Sequence, residues 1–456
     1  PRGLGRGGQG VGQCVKRIRV LVSCCHVLGR GTIRRGGSSA ASDVYKRKTY
    51  FCMYAFRKPF GAATYAGLEF MGTGIKLKTA FVIGQIIGYT ISKYYGCKFC
   101  SEIGRNQQAK ALVMMIIIAE SALLGFAILP ENLKVLAIFI NGLPLGMVWG
   151  LVSRYLEGRK TAELLFAGLS CSYIVASSSV KTVGGWIMEA GITEFWMPVT
   201  VGTIFFIPFI ISVFLLNQLP DPSADDISSR CERTVMDGQS RSIFFKQFMG
   251  GMIMLLILYF FLTAYRDVRD MYMPEVFAAM GYGTEPTLFS KADLPIALGI
   301  MVVMALLNLA KDHRKGLLAV FSVMLGGMIL MGVATVLKDL NIISGLWWMI
   351  LIGFGAYLAY VPFGAVLFER IMASTRAAGT AVFAIYLSDA IGYTGSIGIQ
   401  LYKDWGQADL NYYQFMRYFT YIMATLGTVL FILSGIYFLA KAKTATTTND
   451  GLQNTA

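Results

Sequence analysis

The chain has 456 residues, 55% of them hydrophobic and only 15% charged, with a mean hydropathy of +0.57. A soluble domain carries about 25% charged residues, so this composition excludes an ordinary globular protein and points to the bilayer. The formal net charge of +15 raises nucleic-acid binding as an alternative, but most cations fall in short segments between apolar runs, which excludes it.

In chain order, the first 42 residues contain no Asp or Glu and are rich in Gly, Arg and Ser. That composition fits an organellar transit peptide, or an extension foreign to the native chain. Residues 1–45 are therefore expected to be disordered and to take no part in the fold. From Lys46 onward the sequence predicts twelve membrane spans of about 20 residues, each able to cross ~30 Å of hydrocarbon. The first six, in an N-terminal half over 46–217, are 49–68, 78–100, 109–129, 133–153, 163–188 and 196–217. A polar stretch over 218–243, with Pro220, Pro222 and several acidic residues, reads as a cytoplasmic linker. The C-terminal half over 244–442 gives 247–272, 292–310, 317–337, 344–367, 378–400 and 413–440, followed by a disordered tail over 443–456.

Charge bias orients these spans. With the N-terminus cytoplasmic, the inner segments collect Lys46, Arg47 and Lys48, then Arg154, Arg159 and Lys160, then Lys311, Arg314 and Lys315. The outer segments hold fewer and more scattered cations, among them Lys76, Lys78, Lys134, Arg266 and Arg417. Both termini are thus expected in the cytoplasm, with the plasma (inner) membrane as the expected location and an organellar membrane as the alternative. Six spans, a linker and six spans predict an all-α membrane protein of two six-helix halves, the major facilitator arrangement. A short repeat supports two related halves: Arg159 precedes Phe166-Ala167 by the spacing with which Arg376 precedes Phe383-Ala384.

A charge at mid-membrane costs about 3 kcal/mol on insertion scales, so ionisable residues inside spans are functional candidates. Arg57 and Lys58 interrupt the first span, Lys93 and Lys98 lie in the second, Glu120 in the third, Lys181 in the fifth and Asp389 in the eleventh. The seventh ends in Arg266-Asp267-Val268-Arg269-Asp270, whose last members are also explained by pairing at the outer surface. Lys98 is close enough to the cytoplasmic face to snorkel. Lys58, about 100° round the helix from Arg57, is left without a role. As a set, the cations outnumber Glu120 and Asp389 at comparable depth, and a cationic cavity is costly unless an anion fills it during the cycle. Arginine favours planar oxyanions bound bidentately, and lysine acts as a point charge. The residues themselves therefore predict a transporter of a small organic anion.

Other chemistry finds little support. Cys97 and Cys100 form a CxxC motif with no histidine nearby, since His26 and His313 are remote in sequence. Neither a metal site nor a disulfide is expected, nor any cofactor, and no nucleophile–base set suggests an enzyme.

Four local motifs resemble the organophosphate:phosphate antiporter branch of the major facilitator superfamily. Tyr54-Ala55-Phe56-Arg57-Lys58-Pro59-Phe60 is similar to its first helix, and Ser92-Lys93-Tyr94 to its second. Lys181-Thr182-Val183-Gly184-Gly185 is similar to its fifth helix, with Lys181 in place of a histidine. Arg266, with Pro274 eight residues on, is similar to its seventh. The resemblance implies that Arg57 and Arg266 clamp a phosphate, with Lys93 and Lys181 adding to the field. It also implies that Glu102, Gly104 and Arg105, in a degenerate acidic-Gly-Arg motif, serve as a gating loop. The expected partners are a small anionic solute, inorganic phosphate in exchange and the lipid bilayer, with the carrier a monomer. Two alternatives stand beside this reading: a proton- or sodium-coupled symporter using Glu120 or Asp389, and a non-transporting sensor of a phosphorylated metabolite.

Overall fold

In hydrocarbon, each backbone N–H and C=O must be satisfied within its own segment, so apolar runs of spanning length become helices. The computed structural model describes residues 48–154, 162–218, 238–283, 285–310, 312–375, 381–407 and 409–453. Among them there is no strand, only an isolated bridge between Glu69 and Lys76. Eight of these helices are long and apolar enough to cross a membrane, by length and composition. The protein is an integral multi-pass membrane protein.

The chain divides into two units. The first comprises residues up to 229 together with 271–291. It contains α1 (48–54), α2 (Leu77–Glu102), α3 (Arg105–Ile128), α4 (Glu131–Arg154), α5 (Ala162–Glu189) and α6 (Met197–Asn217). The second comprises 230–270 and 292–456. It holds α7 (Gly238–Gln247) and α8 (Met249–Met271), the latter ending at the unit boundary. The short α9 (Met273–Ala279) belongs to the first unit, as does the first turn of α10 (Thr287–Asn308). The second unit continues through α11 (His313–Asp339), α12 (Gly345–Pro362), α13 (Phe368–Thr375), α14 (Ala381–Leu401) and α15 (Tyr412–Gln453). A π-helical turn over Phe363–Leu367 joins α12 to α13.

Two expected boundaries fail. The first span was expected as one helix over 49–68, but α1 stops at residue 54 and a turn follows. Pro59 contributes to this, because it has no N–H for the carbonyl of Ala55. Lys58 sits at φ −107°, ψ −14°, and Pro59 opens a 3₁₀ turn over Pro59–Ala62. At the other end, a disordered tail was expected from 443, yet α15 runs on to Gln453. Adding residues to an existing helix forms a hydrogen bond without a new nucleus, so the long apolar helix carries its Ala- and Lys-containing extension. Of the linker, residues 219–237 lie outside the described residues. So do Arg159 and Arg376 of the internal repeat.

Small residues set how closely the helices approach. A Cβ placed on Gly88 of α2 would lie 2.3 Å from the carbonyl oxygen of Phe139. One on Gly142 of α4 would lie 2.5 Å from that of Gln85, and one on Gly146 2.6 Å from that of Tyr89. Backbone therefore meets backbone along the α2–α4 seam, which fixes the register of Gln85, Tyr89 and Lys93 on α2. Since these neighbours are main-chain atoms, the seam cannot yield locally. Gly142→Ala is expected to destabilise the protein by about 1–3 kcal/mol, read as a lowered unfolding temperature in detergent, whereas Gly326→Ala, whose Cβ would meet nothing within 4 Å, should leave it close to wild type.

Candidate functional site

The end of α1 generates the site in the first unit. Where the helix stops, Arg57 and Lys58 both donate their backbone N–H to the carbonyl of Tyr54, at 3.1 and 2.9 Å. The carbonyls of Phe56 and Arg57 leave the helical ladder, and buried carbonyls must find partners. Two amide side chains supply them. Asn141, fully buried on α4, donates to the carbonyls of Phe56 and of Ala119 on α3, each at 3.0 Å. Gln85 on α2 donates to the carbonyl of Arg57 at 3.0 Å and to Oδ1 of Asn141 at 2.9 Å. One small network thus ties the turn to three helices.

This anchors the backbone of Arg57 beside α2. The residue is 7% exposed, and its Cζ lies 3.9 Å from the ring centroid of Tyr89, one turn beyond Gln85 on α2. Nζ of Lys93, a further turn along, lies 5.4 Å from the same centroid. A ring face stabilises a cation through its quadrupole without cancelling the charge. Arg57 and Lys93, both expected in the site, are therefore brought together on Tyr89.

Lys181 is elsewhere in the unit. Fully buried on α5, its Nζ lies 5.8 Å from the Phe289 ring, and its Cδ would be 3.8 Å from a Cβ on Gly61. Two more lysines gather at that glycine. Nζ of Lys78 donates to the carbonyl of Gly61 at 3.3 Å and to Oε1 of Glu275 at 2.6 Å. Nζ of Lys58 donates to Sδ of Met271 at 3.5 Å, and Met271 itself packs against Gly61. Lys78, counted among the outer-segment cations in the sequence, is 2% exposed and ion-paired.

In the second unit, Arg266 lies near the end of α8. Its Nε and Nη2 donate to Oδ1 of the adjacent Asp267 at 3.2 and 2.7 Å, and its Cζ is 4.3 Å from the Tyr360 ring centroid. Oδ2 of Asp267 accepts from Ser396 at 2.8 Å, and Gln400 donates to Ser396 at 3.1 Å. Arg269 does not pair at the outer surface. It is 1% exposed and donates twice at 3.0 Å to Oδ1 of Asp293 on α10, and once at 3.0 Å to the carbonyl of Met349 on α12.

The two candidate coupling carboxyls differ in setting. Asp389 on α14 accepts from the Tyr259 hydroxyl at 2.9 Å, and Tyr259 stacks on Tyr360, the ring beneath Arg266. Glu120 lies at the α3–α6 contact, accepting from Thr203 at 2.9 Å. A Cβ on Gly202 would collide with its Oε2, so this carboxyl occupies a glycine notch on α6. In the expected gating loop, Gly104 precedes α3 with extended backbone at φ −69°, which any residue adopts. The side chains of Glu102 and Arg105 lie outside the described residues. Among the described residues no group of three or more His, Cys, Asp or Glu could hold a metal.

Sequence reasoning missed Tyr89, Gln85, Asn141, Lys78 and Glu275. A signal existed for the two amides, since Gln85 and Asn141 are polar residues inside otherwise apolar runs. Nothing in the sequence pairs Lys78 with Glu275, 197 positions apart.

Residues 59–441 match a family described as "Family of unknown function (DUF5690)", and the chain belongs to that family. No curated protein matches the sequence. Among solved structures, a D-xylose-proton symporter is similar over 85% of this chain and 96% of its own, at 15% identity and a TM-score of 0.57. The nucleoside transporter NupG is similar over 89% of this chain and 99% of its own, at 14% identity and a TM-score of 0.57. At these identities the likeness speaks for the fold, which is the major facilitator fold, seen in these neighbours in transporters rather than enzymes. If the amide network holds the site together, Asn141→Leu leaves buried carbonyls unpaired and should cost about 1–3 kcal/mol for each, seen as a lowered unfolding temperature, with Asn141→Gln less damaging.

Proposed function

We propose that this member of the DUF5690 family is a secondary active transporter that moves a small organic anion by alternating access. The observation that carries the reading is the pairing of Arg57 and Lys93 on the ring of Tyr89 in the first unit. A guanidinium and an ammonium converging on one ring supply the donors and the positive charge that an oxyanion binding between them requires. The planar guanidinium presents paired donors to phosphate or carboxylate, while Lys93 adds charge without directional demand. A phosphate ester is the cargo best matched to this pairing, and inorganic phosphate is the simplest exchange partner. An anion that binds one state of the carrier more tightly lowers the free energy of that state, which couples occupancy to switching.

Lys181, with Lys58 and Lys78 around Gly61, adds positive potential within the same unit. The gating role of Glu102, Gly104 and Arg105 remains part of the proposal on the strength of the motif. A proton-coupled variant is favoured by one contact, the Tyr259–Asp389 hydrogen bond, since a carboxyl within a helix is a natural proton relay. Uptake driven by a pH gradient and indifferent to internal phosphate would select that variant.

The decisive measurement is uptake of radiolabelled phosphate esters and carboxylates into proteoliposomes loaded with inorganic phosphate. Arg57→Lys keeps the charge but removes the flat fork, and uptake should fall by about tenfold or more with unchanged elution on size exclusion. Wild-type rates in Arg57→Lys and Arg57→Ala for every anion transported would overturn the proposal.

A further inference from the structure

Residues 271–291 follow α8 and lead into the body of α10, both of which belong to the second unit, yet they cluster with the first. Their two arms, 271–283 and 285–291, are tied to it by side chains. On the first arm, Oε1 of Glu275 accepts from Nζ of Lys78 at 2.6 Å, and the Tyr272 hydroxyl shares a hydrogen bond with Thr79 of α2 at 2.8 Å. On the second, Thr182 of α5 donates to the carbonyl of Pro286 at 3.0 Å and shares a 2.8 Å hydrogen bond with Ser290. Pro286 fits a notch at Gly185, where an added Cβ would lie 2.6 Å from the Cβ of the proline. Both ends of the segment coincide with breaks in helical bonding. At one end α8 gives way to α9 at Tyr272, which sits at φ −105°, ψ 18°. At the other, Pro295 inside α10 has no N–H for the carbonyl of Lys291. Breaks of this kind are where helices bend.

We propose that this segment is a strap that closes over the Lys58–Lys78–Lys181 cluster of the first unit, with the Lys78–Glu275 pair as its latch. The strap contributes the cover under which these lysines lie. Met271 takes the hydrogen bond of Lys58 and packs on Gly61, Glu275 takes that of Lys78, and the Phe289 ring lies 5.8 Å from Nζ of Lys181. The three lysines are 8%, 2% and 0% exposed, although an ammonium is strongly hydrated and costly to bury. The latch itself is half-made. Oε1 of Glu275 bonds Lys78, while Oε2 is buried without a hydrogen-bond partner. A buried carboxylate with one oxygen unsatisfied is held less firmly than one with both bonded, which makes the docked state easier to give up. With the strap released, water reaches the ammonium groups and they open to an oxyanion. The cover stands independently of the anion-transport reading, and its effect on uptake rests on that reading.

The test reads exposure directly, as the rate at which a charged methanethiosulfonate labels Lys181→Cys in proteoliposomes, located by peptide mass spectrometry. Labelling should be slow with the latch intact. It should rise by about tenfold when Glu275→Gln removes the charge of the latch. Thr182→Val, which removes the anchor of the second arm, should raise it too and carries the comparison if Glu275→Gln does not fold. The native Cys52, buried on α1, reports general unfolding and should stay unlabelled throughout. Equal rates with and without the latch, or labelling of Cys52 in step with Lys181→Cys, overturn the strap. A lock supplies the converse. Thr182→Cys with Ser290→Cys puts two sulfurs where the oxygens are 2.8 Å apart, close enough for a disulfide. Its oxidation should arrest anion uptake, and dithiothreitol should restore it. Uptake that continues through the closed disulfide overturns the opening of the strap while leaving anion transport intact. A wild type that carries no anion, with labelling that still answers to the latch, sinks the transport reading and leaves the strap standing.

Discussion

The first unit depends on how the chain copes with Pro59. A proline in a membrane helix frees a carbonyl and bends the backbone, and in hydrocarbon that is tolerated only where other groups take up the freed hydrogen bonds. Here the carbonyls of Phe56 and Arg57, which leave the ladder where the helix ends, are taken up by Asn141 and Gln85, and Asn141 satisfies Phe56, Ala119 and Gln85 at once. A half-satisfied network of this kind would be worse than an apolar core. Being fully satisfied, it holds the end of α1 against α2, α3 and α4, and so fixes Arg57 over Tyr89. The cluster is positioned by polar bonds to main chain, which are directional, rather than by apolar packing, which is not.

The same break gathers a second set of cations. Lys58, Lys78 and Lys181 converge on the 3₁₀ turn because Gly61 leaves room for Met271 and exposes its carbonyl to Lys78. The partners described for these residues and for Arg57 are ring faces, a backbone carbonyl, a thioether and the Glu275 carboxylate. Rings and carbonyls stabilise a cation through partial charges and leave its field in place. In the second unit Arg266 pairs with Asp267 and Arg269 with Asp293.

Helix type and order were legible in the sequence because hydrocarbon admits few alternatives. Apolar length alone locates α2 to α6, and α8 is found within two residues of its expected limits. The continuous first span was misread because mean hydropathy outweighed one proline, although the proline was visible. Arg57 and Lys93 were recognisable as charges out of place, but their shared ring was not, since Tyr89 differs in no way from other tyrosines in apolar helices. Sequence likewise shows Arg266 and Asp267 as neighbours without showing that they bond. Adjacent residues on a helix point about 100° apart, and here the long arginine side chain folds back to bridge that angle.

Two Arg-Asp pairs that begin in one short stretch of α8 sit in different surroundings. Arg269 has its guanidinium pressed against Gly353, where a Cβ would lie 2.5 Å from Cζ, and it bonds Asp293 and the Met349 carbonyl at 1% exposure. Such a pair is enclosed on every described side and ties α8 to α10 and α12. Removing one member would strand a buried charge, a loss of about 3–5 kcal/mol. One helical turn earlier, Arg266 meets an aromatic ring instead of a backbone, keeps one edge clear of Asp267 and retains some exposure. The chemistry of the two pairs is nearly the same. What separates them is where the guanidinium is spent: Arg269 bonds through Nη1 and Nη2 to a carboxylate on α10 and a carbonyl on α12, whereas Arg266 turns its Nε–Nη2 edge back on the next residue of its own helix.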